Sequence, residues 1–176
     1  MFVETSVKTI PKENVMRNIR IGKVVLNIGC GTTMPVEQAK KILEMASGSK
    51  AVVIKSRRRS TFNVPKNTPI GCKVTVRKSV NEFVKRMLEA RENQLSASNF
   101  DVNGNLAFGI KEYIDIPKME YDPKIKISGM DVCVSVERSG YSTKRKRISR
   151  KVGKKHLVTK EESIEFMKEN FGVNIE

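Results

Sequence analysis

Two β-rich segments, Ala51 to Lys55 and Lys73 to Arg77, bracket a polar loop that Pro65 and Pro69 stiffen. Short runs rich in Val and Ile beside proline-containing loops read as strands. The loop between them is too polar to enter a core. It holds Arg57, Arg58, Arg59 and Lys66 together with one aromatic residue, Phe62. The chain must therefore build a sheet that presents this loop to solvent or to a partner.

Charge says which partner. From Met45 to Asn81 there are nine Lys and Arg and no acidic residue. From Arg138 to Lys155 there are again nine and none. These eighteen leave 16 of the 34 basic residues facing all 19 acidic ones, so the remainder of the chain carries a net −3. The net +15 belongs to two segments, which is the footprint of a polyanion binder rather than of general solubility charge.

At 176 residues, 39% of them hydrophobic, the chain suits one domain with its own core, residues 1–176. No apolar run approaches the ~20 residues of a membrane span, and no signal-peptide pattern opens the chain. Both point to the cytosol. Cys30, Cys72 and Cys133 lie far apart without C-x-x-C spacing, which argues for reduced thiols and against a zinc site. The one histidine, His156, reads as solvated or as a phosphate contact. No metal or cofactor is implied.

Met1 to Arg20 reads as an arm or short helix, and Ile21 to Ile28 as a buried strand ended by Gly29-Cys30-Gly31. Pro35 to Ser47 has Val36, Ala39, Leu43 and Ala46 at helical spacing, with Gly48 placed to terminate it. Ser79-x-x-Glu82 and Thr159-x-x-Glu162 both have capping-box form, each ahead of an apolar stripe. The first opens a helix running to about Arg91. The second opens a last helix carrying Ile164, Phe166 and Met167. Leu106 to Tyr113 and Met130 to Val136 read as strands, and Ser139 to Lys155 as an extended connection. The class is α+β: an antiparallel or mixed sheet with helices packed on one face and the other face open to solvent or RNA.

Gly29-x-Gly31 between strand and helix suggests a dinucleotide site, but Met34 stands where the third glycine belongs and Lys55 where an acidic residue belongs. A tight turn explains it better. No paired carboxylates, Ser/His/Asp set or Cys/His pair is present, so the chain is not read as an enzyme. Phe62 either stacks on a base or anchors its loop. Asp131 is either a turn residue, which its spacing favours, or an acceptor for RNA sugar or base groups. The run from Gly140 to Lys155 suits RNA, although such clusters also mark localisation signals and chromatin binders. A sequence-tolerant protein that compacts DNA or RNA is the alternative reading.

Four segments carry more than their physics: I-G-K-V-V-L-N-I-G-C-G (21–31), P-I-G-C-K-V-T-V-R (69–77), F-G-I-K-E (108–112) and Y-D-P-K-I-K-I-S-G-M-D-V (121–132). In order and content they resemble the large-subunit ribosomal protein five family, the universal 5S rRNA binders. G-Y-S-T-K-R-K-R (140–147) and the closing helix are similar to the archaeal and eukaryotic branch, with an archaeal source favoured. The resemblance implies a structural ribosomal constituent whose open sheet face packs on 5S rRNA in the central protuberance. By analogy the 5S contacts are Asn27, Ser49, Thr75, Arg77 and Asp131. It also implies that the loop 57–70 reaches P-site tRNA through Arg58, Arg59, Phe62, Asn63, Lys66 and Asn67. The extension 139–156 is assigned to other large-subunit rRNA or tRNA contacts through Tyr141, Lys144, Arg145, Lys146, Arg147, Arg150 and Lys151. Implied partners include other 5S-binding and central-protuberance ribosomal proteins and, across an intersubunit bridge, a small-subunit head protein. Two departures stand out: Ser49 occupies a position where the family often has glutamine, and Val64 to Thr68 replaces an R-x-G run.

Overall fold

A computed structural model describes residues 14–31, 34–61 and 63–175. Five antiparallel strands form the main sheet: β1 (Ile19–Gly29), β2 (Val52–Lys55), β3 (Pro69–Val76), β5 (Leu106–Ile110) and β6 (Met130–Arg138). Their order across the sheet is β2-β3-β1-β6-β5. Two short strands, β4 (Gln94–Leu95) and β7 (Asn174–Ile175), pair in parallel apart from it. The strand predicted from Ile21 to Ile28 is longer at both ends, and β5 stops at Ile110 because Tyr113–Asp115 turns as a 3-10 segment with Tyr113 buried.

Alternation along the strands separates two faces. Val24, Leu26 and Ile28 of β1, Cys72, Val74 and Val76 of β3, and Val132, Val134 and Val136 of β6 are all buried. Helices α1 (Val36–Ser47) and α2 (Val80–Glu89) pack on that side, α1 against β3 and β1, and α2 against β1. In α1 the buried residues Ala39, Ile42, Leu43 and Ala46 follow the i, i+3, i+4, i+7 rule of an amphipathic helix. Gly48 ends α1 with φ 64°, a conformation glycine adopts without steric cost. Gly71 serves packing instead: a Cβ there would lie 2.6 Å from the Ile28 carbonyl oxygen on the neighbouring strand.

The two predicted capping boxes part company. Thr159 accepts from the Glu162 amide while the Glu162 carboxylate accepts from the Thr159 amide, opening α3 (Lys160–Phe171). Ser79 makes no such bond. Its backbone is left-handed (φ 47°, ψ 42°), not in the extended region a capping side chain needs. The α2 entrance is closed by the Phe83 amide donating to the Ser79 carbonyl.

The stretch from Ser139 to Lys155, expected as an extended connection, is folded at its base. A 3-10 turn at Tyr141–Lys144 and another at Lys154–His156 bring its two ends together. The predicted N-terminal arm lies outside the described residues up to residue 13. Asn14 then caps a short turn, Val15–Arg17, that leads into β1.

Candidate nucleic-acid interface

The second face of the sheet carries the complementary set of side chains. Register places Val52, Lys73, Asn27, Asp131 and Gly109 in one row across all five strands. The next row reads Thr75, Val25, Cys133 and Ala107. Lys23 and Ser135 form a third pair, and Arg20 faces Glu137 beyond a bulge at Gly22. Lys73, Asp131, Cys133, Ala107 and Gly109 are exposed, and Asn27, Thr75 and Lys23 are half-buried. Small side chains dominate the β5–β6 half, which lets a flat polymer approach the backbone closely.

Spacing alone favours a turn role for Asp131. The structure overturns that: the residue sits within β6, exposed, opposite Asn27 and Gly109. Of the residues assigned to 5S rRNA, Asn27, Thr75 and Asp131 share this face. Arg77 follows just past the end of β3, exposed. Ser49 does not join them; it lies in the exposed turn between α1 and β2, where its amide donates to the Ser47 hydroxyl. Lys23, Lys73 and Cys133 belong to the face but carry no motif that singles them out. Strand alternation from Asn27, Thr75 and Asp131 is the signal that could have found them.

The basic loop continues the β2–β3 hairpin. The Ser56 amide donates to Thr68 O at 2.8 Å, the Asn67 amide returns to Ser56 O at 2.8 Å, and the Ser60 amide donates to Val64 O. Asn63 (φ 59°) and Asn67 (φ 68°) take the left-handed positions of its turns, which asparagine tolerates. Arg57, Arg58, Arg59 and Lys66 are all exposed. Phe62 lies outside the described residues. Among the described residues none of the nine cations between Lys50 and Lys78 enters an ion pair.

The extension leaves the opposite end of the sheet, since β6 ends at Arg138 beside Ile19 whereas the loop adjoins Gly29. Eleven residues of β1 separate the two ends by about 33 Å. The Tyr141 hydroxyl donates to the His156 carbonyl (3.2 Å) and accepts from the Val158 amide (3.0 Å). His156 is half-buried, its ring nitrogen 2.8 Å from Ser139 O, so it is neither solvated nor held out for phosphate. Arg145 pairs with Glu137 at 2.6 Å. Arg138 is 5% exposed and pairs with Glu162 at 2.7 Å, which withdraws it from any surface role. Burial tends to raise the Glu162 carboxyl, but the Thr159 amide and the Arg138 guanidinium outweigh it and hold the group below the usual carboxylate range. Lys144, Lys146, Arg147, Arg150 and Lys151 are exposed.

Among the described residues no cluster of three His, Cys, Asp or Glu is placed to hold a metal, and no helix is long and apolar enough to cross a membrane. A sheet with one helix-covered face and one polar face left bare among the described residues, cationic at both ends, defines an α+β nucleic-acid-binding protein. The chain belongs to the ribosomal protein L-five family, and the model of that family's C-terminal part matches residues 69–166. Similar proteins include the large ribosomal subunit protein uL5 of Sulfolobus acidocaldarius, 44% identical over 97% of this chain and 98% of the relative. The protein of that name from Methanosphaera stadtmanae is 42% identical over 93% of this chain and 99% of its own length. Membership places the chain among the structural RNA-binding proteins of the large ribosomal subunit, which are cytoplasmic ribosome components and not enzymes.

Proposed function

We propose that this protein attaches 5S rRNA to the large subunit by laying the open face of its sheet on the RNA. The observation that carries the reading is the row Lys73, Asn27, Asp131 and Gly109, bare of any helix among the described residues, in a chain of this family. Lys73, Lys23 and Arg77 supply phosphate contacts, and Asn27, Thr75 and Asp131 supply polar contacts to bases and ribose. Phosphate contacts position the RNA and the polar contacts select it. The loop 57–70 reaches instead toward the elbow of P-site tRNA, and the extension 139–156 toward other rRNA or tRNA. Its neighbours on this reading are large-subunit rRNA, other 5S-binding and central-protuberance proteins, and a small-subunit head protein across a bridge.

A competition titration against 5S rRNA, an unrelated structured RNA and duplex DNA, at two salt concentrations near physiological, tests it. A preference for 5S rRNA that survives the higher salt supports the reading, because counterion release alone does not discriminate. Equal binding to all three, fading together with salt, would leave a general polyanion binder.

A further inference from the structure

Among the described residues two carboxylates stand on the open face, and the fold treats them differently. Glu137 is neutralised by Arg145 at 2.6 Å. The Asp131 side chain, near the other end of β6, has no hydrogen-bond or ion-pair partner among the described residues, and neither does the side chain of Asn27 opposite it. A bare carboxylate repels phosphate, so its place in an RNA-facing surface needs a ligand that only donates hydrogen bonds. Base edges and ribose hydroxyls qualify. Among the bases, guanine alone offers two adjacent donors on one edge, N1–H and the N2 amino group, which match the two oxygens of a carboxylate. That edge is free only when the guanine is unpaired, the state in which RNA bases are read. The surroundings suit a flat ring. Asp131 Oδ1 lies 3.9 Å from the place a Cβ would take on Gly109, and the bare backbone there, with Ala107 in the next row, leaves a shallow floor beside the carboxylate. Lys73, in the same row beyond Asn27, is placed for the phosphate of such a nucleotide.

We infer that Asp131 receives the Watson–Crick edge of one unpaired guanine of the bound RNA, with Asn27 beside it holding the ribose or a second polar group. This rests on the sheet face being the 5S rRNA interface. The test uses the full chain bound to 5S rRNA and kethoxal, which reacts with the N1 and N2 positions of unpaired guanines. One guanine should be protected in the wild-type complex and regain reactivity in saturated complexes of Asp131→Ala and of the isosteric Asp131→Asn. Both variants should bind about 5- to 100-fold more weakly. Replacing that guanine by inosine, which lacks N2, should weaken the wild type but leave Asp131→Ala unchanged. The same guanine protections in all three complexes would overturn the inference. Alkylation of Cys133, exposed in the adjacent row, keeps the two failures apart. If RNA does not shield Cys133, the sheet-face reading itself falls. If RNA shields it while no guanine responds to Asp131, only the guanine assignment falls.

Discussion

The basic loop and the basic extension have the same charge in the sequence, nine cations and no acid in the segment around each, yet the fold holds them in different ways. The loop prolongs a β-hairpin. Backbone hydrogen bonds between Ser56, Asn67 and Thr68 shape it, and its arginines project without ion-pair partners among the described residues. The extension is fastened by side chains: Tyr141 bridges His156 and Val158, Arg145 pairs with Glu137, and Arg138 donates to the Leu157 carbonyl while pairing with Glu162. A count of charges therefore overstates the extension as an electrostatic surface. Of the nine cations from Arg138 to Lys155, Arg138 at the end of β6 and Arg145 are occupied in ion pairs, and the other seven ride on a segment that side-chain contacts hold in place.

That difference makes the two regions separable by mutation. Arg138→Ala should have the largest effect, about 2–3 kcal/mol lost in chemical denaturation, because it strands Glu162 and removes a buried stem. The loss stays below that of a fully buried pair because Glu162 is 36% exposed. Neutralising Arg57, Arg58 and Arg59 together should change stability by less than about 0.5 kcal/mol. It should instead flatten the salt dependence of tRNA binding, by about 0.7 to 0.9 in slope for each phosphate no longer neutralised. A stability loss from the loop change equal to that of Arg138→Ala would erase the distinction.

Tyr141→Phe comes next. It removes a donor and an acceptor at the base of the extension, for about 1–2 kcal/mol. Amide exchange should accelerate across residues 141–158 and stay unchanged in the loop. Thr75→Ala and Asp131→Ala should each weaken 5S rRNA binding more than loop neutralisation does. Loop changes that abolish 5S binding while both sheet changes are silent would reverse the division of labour. The smallest effect is on acid stability. Glu162 sits below its ordinary value of 4.5 in the folded chain, so its contribution is complete above that pH and is lost as pH falls through the folded value. Glu162→Gln should flatten that part of the acid limb, whereas loop variants should retain it.

Much of this organisation is legible in the sequence. Alternation and helical spacing place the strands and helices because each element buries one face, and burial is written in residue type. The hairpin loop is legible for the same reason, being polar between two apolar runs. What is not legible depends on contacts distant in sequence. Arg138 looks like one more surface cation because its partner Glu162 is 24 residues away and belongs to another element. Tyr141 and His156 look like RNA-facing groups, but their bonds to Val158 and Ser139 close a loop that no local pattern announces. Ser79 carries a correct capping motif and loses it to a left-handed backbone. Asp131 misleads in the other direction: two residues after Gly129 and second in its strand, it reads as a turn residue by spacing, yet it lies inside β6 on the exposed face.

The claim on which the rest depends is that RNA covers the open face of the sheet, and one thiol reports on it. Cys30 and Cys72 are buried and Cys133 is exposed in the centre of that face. Partial desolvation, and then the neighbouring Asp131 carboxylate, push the Cys133 thiol up, so labelling belongs at mildly alkaline pH. The measurement is the rate of Cys133 alkylation in the native protein with and without saturating 5S rRNA. The account predicts a reduction of at least about tenfold, unaffected by neutralising the loop arginines once the RNA is saturating. An unchanged rate in a complex shown to be bound would mean that the RNA sits elsewhere, and the sheet face would lose its role.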